Sequence, residues 1–535
     1  MGGPADRFKF VVWVECVVEN LVRSIRSLLP YPSVPQALRR TDFVLAVRPL
    51  AIFCIAASLI ARVAVGIGQP LWLDEAWTGA IAGQSDFEHL IEQVYLDVNA
   101  PIFYVLIYGW AKLLGMSNFV LRLPSLLFGS AAALLIVVSY IPKMSSDVRW
   151  VWAALVATWF PGVWESQDAR CYGLLLLVCT AQTIVFVRLL SVPKLRVAFC
   201  WTACSAVAVL THYDAIFVTA CQGMIYIAMS RQQALKTWPA ACIFGPVFCW
   251  MGYHFPRIVQ FADPAVAWYN PLGLSDTEQV FRYLFGTLAV PCWLSIVGLL
   301  AIHVRIHKRV EVAAPEGTIS LELWMGVVAA IAAASMIIIL GFLRPTLALR
   351  YLVPVVPGIL LGVALAARTI LTCWKACYPT LMIGCLCSCL MATSQFAGRP
   401  RGYSFEAAVK DLMSVGVTDL VFTWDHPASA VLLPKQVSAL GHFFFDRARY
   451  PIHVLPVMLT PGRDPSAELL NVARPTGAGI LWLYDKNVHG TVAASAPPQI
   501  DRIDPGWHCR DYGEGVVGIV SCYRLAAESG FAATK

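Results

Sequence analysis

The sequence predicts a polytopic α-helical membrane protein of about eleven transmembrane helices, with a small C-terminal α/β domain outside the membrane. Three observations carry that expectation. Of 535 residues, 58% are hydrophobic and 14% charged, whereas soluble domains average about 25% charged. The apolar residues recur in runs of roughly 15 to 23, the length that a bilayer crossing needs. Near Gly398 the composition changes to that of a soluble domain.

Residues 1–40 do not read as a signal peptide. The stretch 8–29 mixes apolar residues with Lys9, Glu15, Glu19, Arg23 and Arg26, and it ends at Pro30 without a small-residue cleavage pattern. An interfacial amphipathic helix on the cytoplasmic side fits it better. The first span, 44–67, follows Arg39, Arg40 and Arg48. Later spans fall near 119–141, 150–164, 173–190, 197–211, 214–230, 237–255, 283–302, 322–342, 351–367 and 377–395.

The segment 101–114 is apolar but short, opens with Pro101 and carries Lys112. Loop charge decides its place, because basic residues mark cytoplasmic loops. They cluster at Lys143/Arg149, Arg188/Lys194/Arg196, Arg231/Lys236, Arg305/Lys308/Arg309 and Arg368/Lys375. All five fall on one side only if 101–114 lies in the interface, inside a first outer loop of about 68–118. The N-terminus is then cytoplasmic and the C-terminus outside. Three parts follow: an N-terminal segment 1–40, a transmembrane domain 41–397 and an extracytoplasmic domain 398–535.

In that last part, 404–416 and 428–440 read as helices and 419–424, 453–459, 479–484 and 516–523 as strands. The alternation argues a small α/β domain. No catalytic motif stands out in it.

The net charge of +7 needs no nucleic-acid partner, since the basic residues sit in short loops. The lack of a P-loop, of zinc-type Cys/His spacing and of a Gly-rich fingerprint after a strand weighs against nucleotide-driven classes. Most of the 17 cysteines lie inside apolar spans as small core residues, among them Cys200, Cys204, Cys242, Cys385, Cys387 and Cys389. Cys509 and Cys522 stand alone in the last 140 or so residues and suit a disulfide in an oxidising compartment.

With this topology the chemistry-bearing residues gather on the outer face. The stretch QPLWLDEAW (69–77) places adjacent carboxylates, Asp74 and Glu75, between Trp72 and Trp77 where the first span leaves the membrane. Aromatic rings favour that depth, and carboxylates there are costly without a job or a partner. The same side carries ESQDARCY (165–172), THYD (211–214), the loop 255–282 and FLRPTLALRY (342–351).

Taken in order, LWLDEAW, NAPIFYVLIYGWAKLLG, FVLRLPSLLFG, SQDARCYGLLLL, THYDAIFV and ALRYLVPVVPG resemble the GT-C class of membrane glycosyltransferases. The pattern looks closest to the branch of protein O-mannosyltransferases and aminoarabinose transferases, over about residues 44–370. The resemblance implies a bacterial inner-membrane enzyme. It would invert the anomeric carbon while moving a sugar from a polyprenyl-phosphate donor to a lipid, glycan or protein acceptor on the periplasmic face. A lipid donor also explains the missing nucleotide site.

Carried over residue by residue, the resemblance makes Asp74 the catalytic carboxylate, with Glu75 beside it. A hydroxyl hardly ionises at neutral pH, so a base must take its proton, an effect worth about 10²–10⁴-fold. The leaving lipid phosphate needs cations. Arg170 and Arg350 lie in the matching outer motifs, followed by Arg344, Lys112 and Arg122, the last of which equally suits a membrane-edge anchor. Asp168 matches an acidic position that helps bind a divalent cation, with Asp74, or orients the acceptor; it would also pair naturally with Arg170. Tyr172, His212, Tyr213 and Tyr351 are candidates for donor or sugar contacts, although a lone histidine at a helix end is often a structural hydrogen-bonder. The chain departs from the pattern at Asn99-Ala100-Pro101, where many relatives carry a histidine or lysine before proline. Asn99 there can only hydrogen-bond. No cofactor is implied beyond such a cation. The competing class is a transporter or lipid-linked sugar flippase, which needs midplane charges or duplicated halves; neither is evident. A third reading is a structural or assembly protein with a degenerate site.

Overall fold

The structure is a computed structural model that describes residues 42–64, 69–263, 271–286, 319–371, 377–397, 403–425, 430–459, 464–473, 478–485, 500–513 and 517–524. The expected N-terminal amphipathic helix, most of the span 283–302 and the basic cluster at 305–309 lie outside them.

Among the described helices, in chain order, are α1 (Asp42–Ala64), α2 (Leu73–Ala82), α3 (Phe87–Leu96), α4 (Pro101–Leu114), α5 (Asn118–Val138), α6 (Ser146–Thr158) and α7 (Phe160–Glu165). They continue with α8 (Tyr172–Ser191), α9 (Leu195–Thr211), α10 (Ala215–Met229), α11 (Gly245–Phe261), α12 (Thr277–Phe285), α13 (Leu321–Leu343), α14 (Val356–Leu371) and α15 (Cys377–Phe396). Among the described residues, five segments are long and apolar enough to cross a membrane: 47–64, 118–138, 172–191, 321–343 and 349–368. Shorter apolar helices are α4, α9, α10 and the part of α15 from Leu381.

The sequence places 69–77 in the outer loop of about 68–118 and predicts no helix there, whereas Asp74 and Glu75 occupy the first turn of α2. Acidic side chains suit that position because the exposed N–H groups carry partial positive charge. The span expected at 150–164 breaks at Trp159, where α6 stops and Pro161 opens α7. Arg62, fully buried in the last turn of α1, ties that break together. Its guanidinium donates to the carbonyls of Ala157 (3.2 Å) and Gly162 (2.8 Å) and to Ser166 Oγ (2.5 Å).

Helices α5 and α8 pack with their backbones close together. A Cβ on Gly173 would lie 2.2 Å from the Ser125 carbonyl oxygen. On the opposite, basic-loop side, Lys143 meets Glu322 at 2.7 Å.

The C-terminal part adds α16 (Glu406–Ser414), α17 (Pro434–Arg447) and α18 (Pro465–Val472) around a five-stranded sheet. Its strands are β1 (Asp419–Asp425), β2 (His453–Pro456), β3 (Ala478–Asp485), β4 (Trp507–Asp511) and β5 (Val517–Arg524). The order is β2-β1-β3-β5-β4, with β1 parallel to β2 and β3, and β5 antiparallel to β3 and β4. The centre of β1 is buried without alternation, as a parallel strand covered on both faces requires. Cys509 and Cys522 stand opposite each other in β4 and β5, 4.1 Å apart at Cα, and form a disulfide.

Candidate active site

Three chain segments meet at the start of α2. The first is the turn 69–72 leading into the helix. The second is the loop 166–171 between α7 and α8, and the third is the 3₁₀ turn Leu349–Val355 before α14. What joins the first two is Glu75. It is fully buried and accepts Arg122 Nε (2.7 Å) and Nη2 (2.5 Å), the Ala169 N–H (2.8 Å) and the Trp72 N–H (3.2 Å). Arg122, also buried, donates onward to the carbonyls of Gln69 (2.7 Å) and Pro70 (3.1 Å). Burial raises the Glu75 pKa, while the Arg122 bond opposes that rise and nearby Asp168 adds to it. All four donors point at Glu75 oxygens, which favours the carboxylate. Glu75 and Arg122 thus occupy each other, and together they fix the turn against the loop.

Asp74 faces the other way and remains partly open, with a quarter of its side chain exposed. Arg350 Nη2 reaches its Oδ2 at 2.9 Å, and Arg170 Nη2 lies 3.9 Å from the same atom. Arg170 also donates to the Asp74 carbonyl (3.3 Å), and its own carbonyl accepts Ser125 Oγ (2.6 Å), which anchors the loop to α5. Arg350 lies over the rings of Trp72 (5.7 Å) and Tyr172 (5.6 Å), so its planar group is held by aromatic faces on two sides. Two guanidiniums therefore converge on one carboxylate oxygen at a partly open surface.

Behind them, His212 packs between Tyr172 (5.7 Å) and Tyr351 (4.8 Å), with its Nδ1 3.3 Å from Asp214 Oδ2. Tyr213 is turned elsewhere: its hydroxyl contacts His254 Nδ1 (2.6 Å) and accepts Trp250 Nε1 (2.9 Å). Asn99 donates to Asp97 Oδ2 (2.8 Å), which also accepts the Tyr104 hydroxyl (2.6 Å). Burial first, then the Asp97 charge, raises the Tyr104 pKa, and the neighbouring Arg170 opposes them. Tyr104 escaped the sequence reading because it sits among the apolar residues of the first turn of α4, and Asp97 because it lies in the short turn after α3. A usable signal was the short Asp-Val-Asn run before Pro101.

Other candidates lie apart. Lys112 is exposed and donates to the Ser85 carbonyl (3.1 Å) at the far end of α4, and the exposed Arg344 caps α13 through its backbone. Asp168 is buried beside Glu75. No group of three or more His, Cys, Asp or Glu among the described residues is arranged to hold a metal ion. A divalent cation on Asp74 would also face two guanidiniums, so the surroundings of Asp74 fit an anion better than a metal.

Solved structures share the overall fold. ArnT from Cupriavidus metallidurans superposes in its apo state with a TM-score of 0.52 and bound to undecaprenyl phosphate with 0.51. Both are 12% identical in sequence, and the match covers 89% of this chain and 98% of that one. The chain has the GT-C fold. An oligosaccharyltransferase from Archaeoglobus fulgidus matches more loosely, with a TM-score of 0.43 at 11% identity over 81% of this chain and 67% of that one. No protein-family model matches the chain, and no curated protein sequence does.

Proposed function

We propose that the protein is an inverting membrane glycosyltransferase that takes its sugar from a polyprenyl-phosphate donor on the extracytoplasmic face of a bacterial inner membrane. The observation that carries the proposal is the convergence of Arg170 and Arg350 on one carboxylate oxygen of the partly exposed Asp74. A base and an anion site lie side by side there, as displacement of a lipid phosphate requires. The ArnT structure with bound undecaprenyl phosphate supports the donor class.

In this reading the acceptor hydroxyl enters beside Asp74. Its oxygen bonds to the sugar C1 as the bond from C1 to the phosphate oxygen breaks, and its proton passes to Asp74. The bonding electrons leave with the lipid phosphate, whose charge Arg170 and Arg350 meet. Arginine suits this because its fork grips phosphate oxygens in pairs. Arg350 then moves from Asp74 to the phosphate as donor binds, which frees the carboxylate to act as base. Tyr172, His212 and Tyr351 form the aromatic floor for the sugar. Glu75 and Arg122 shape the site and take no part in the chemistry. The acceptor is a lipid, glycan or protein of the envelope.

The test is sugar transfer from a panel of polyprenyl-phosphate donors by purified protein, comparing wild type with Asp74→Asn. That variant keeps the size and removes the charge. Turnover by wild type with a loss of about 10²-fold or more in the variant is the expected outcome. No turnover of any donor by wild type would overturn the reading.

A further inference from the structure

The last carbonyls of helix α3 need partners that the helix itself cannot supply. Side chains from two distant elements take three of them in succession. His254 Nε2 lies 3.0 Å from the Tyr95 carbonyl and 2.7 Å from that of Asp97. Arg257 Nε donates to the Leu96 carbonyl at 2.8 Å. Gln436 Nε2, from α17 of the C-terminal part, donates to the same carbonyl at 2.9 Å. Gln436 is buried and fully used, since its Oε1 accepts Arg257 Nη2 (2.8 Å) and the Leu433 N–H (3.1 Å).

The clamped residues lead straight to the site. Asp97 takes the Tyr104 hydroxyl, and Tyr104 lies on α4, which packs against α2, the helix that carries Asp74; the nearby Arg170 charge acts on it. We propose that Gln436 is a positioning residue: together with His254 and Arg257 it fixes the end of α3, and through Asp97 and Tyr104 it sets the wall of the site beside Arg170. The C-terminal part then contributes to transfer by holding this wall from outside, through a contact 340 residues away in sequence. This rests on the function proposed above.

Two substitutions separate the clamp from general docking. Gln436→Ala removes all three contacts. Gln436→Glu keeps a partner for Arg257, and so the seating of α17, but has no proton for the Leu96 carbonyl. Hydrogen exchange of the intact protein reads the clamp without any reaction. Faster exchange confined to residues 95–104 in Gln436→Glu is expected, and unchanged exchange there overturns the proposal. Transfer reads the link to the site. Gln436→Glu should lose about 10- to 100-fold in kcat/KM, the scale of a small misplacement, and combining it with Tyr104→Phe should add little to the larger single loss. Losses that multiply would show that Gln436 acts independently of Tyr104, and would overturn it. If wild type transfers no polyprenyl-phosphate sugar, the function reading fails by itself. The exchange result and the same double-variant cycle in undecaprenyl phosphate affinity still decide the clamp.

Discussion

Neighbouring residues in a helix point about 100° apart, and that geometry separates Asp74 from Glu75. One faces an open surface with Arg350 and Arg170, the other the buried Arg122. The pair Glu75–Arg122 lies wholly inside the protein. Removing one partner of a buried ion pair strands the other charge, at a cost of about 3–5 kcal/mol, whereas replacing both with apolar groups is often close to neutral. Glu75→Gln should therefore lower the unfolding midpoint in detergent sharply, and Arg122→Leu likewise. The double variant Glu75→Leu/Arg122→Leu should be less damaged than the sum of its single changes. Additive losses would mean that the two do not form one unit. The sequence makes Asp74 the catalytic carboxylate with Glu75 beside it, and it cannot show that Glu75 turns inward, because a string of letters does not record side-chain direction. It also offered Arg122 and Lys112 as phosphate ligands. Their charge was legible, but their partners, a carboxylate 47 residues away for Arg122 and a backbone carbonyl 27 away for Lys112, were not.

Among the elements, α5 and α8 decide where Arg170 stands. Ser125 on α5 holds the Arg170 carbonyl, and three residues later Gly173 lets α8 lie against the same turn of α5. A methyl group at Gly173 meets backbone atoms of Ser125, at 2.2 Å from its oxygen and 3.0 Å from its Cα, and neither can swing aside. Gly173→Ala should cost about 1–3 kcal/mol as an overpacked contact and reduce transfer as the loop 166–171 shifts. Gly252 on α11 has no atom within 4 Å of such a methyl group, so Gly252→Ala should leave stability unchanged or slightly raised. Unfolding midpoints of the two variants side by side check this, and equal effects would argue against the close approach. Element type was readable wherever apolar runs were long, as in α1, α5, α8 and α13. It failed where a helix begins in a polar turn, as at α2, and for β4, whose Trp-His-Cys-Arg-Asp shows no apolar alternation.

For the whole molecule, the question is which ends of the helices share a side. Helix α4 has 14 residues, about 21 Å at 1.5 Å per residue, short of a hydrocarbon core of about 30 Å. Its two ends touch the same segment 85–97, Tyr104 in the first turn bonding Asp97 and Lys112 in the last turn bonding the Ser85 carbonyl. Helix α17 then rests on this layer, with Lys435 meeting Glu92 (2.6 Å) and Arg447 reaching Asn118 (2.8 Å), and Trp424 of β1 lies beside Trp77 (6.0 Å). These contacts support α4 as a helix in the interface rather than a crossing, and they place the sheet on the side of Asp74. The loop holding Lys143 lies at the opposite end of α5 from Asn118. Under the proposed topology of eleven crossings and a cytoplasmic N-terminus, residues 398–535 lie outside, a compartment that suits the disulfide of Cys509 and Cys522. A phosphatase reporter that works only outside the cytoplasm should be active when fused after Arg524 and silent when fused in the loop at Lys194. If 101–114 crossed instead, every later loop would exchange sides. Activity at Lys194 with silence at Arg524 would then result, and it would remove Asp74 and the sheet from a common face.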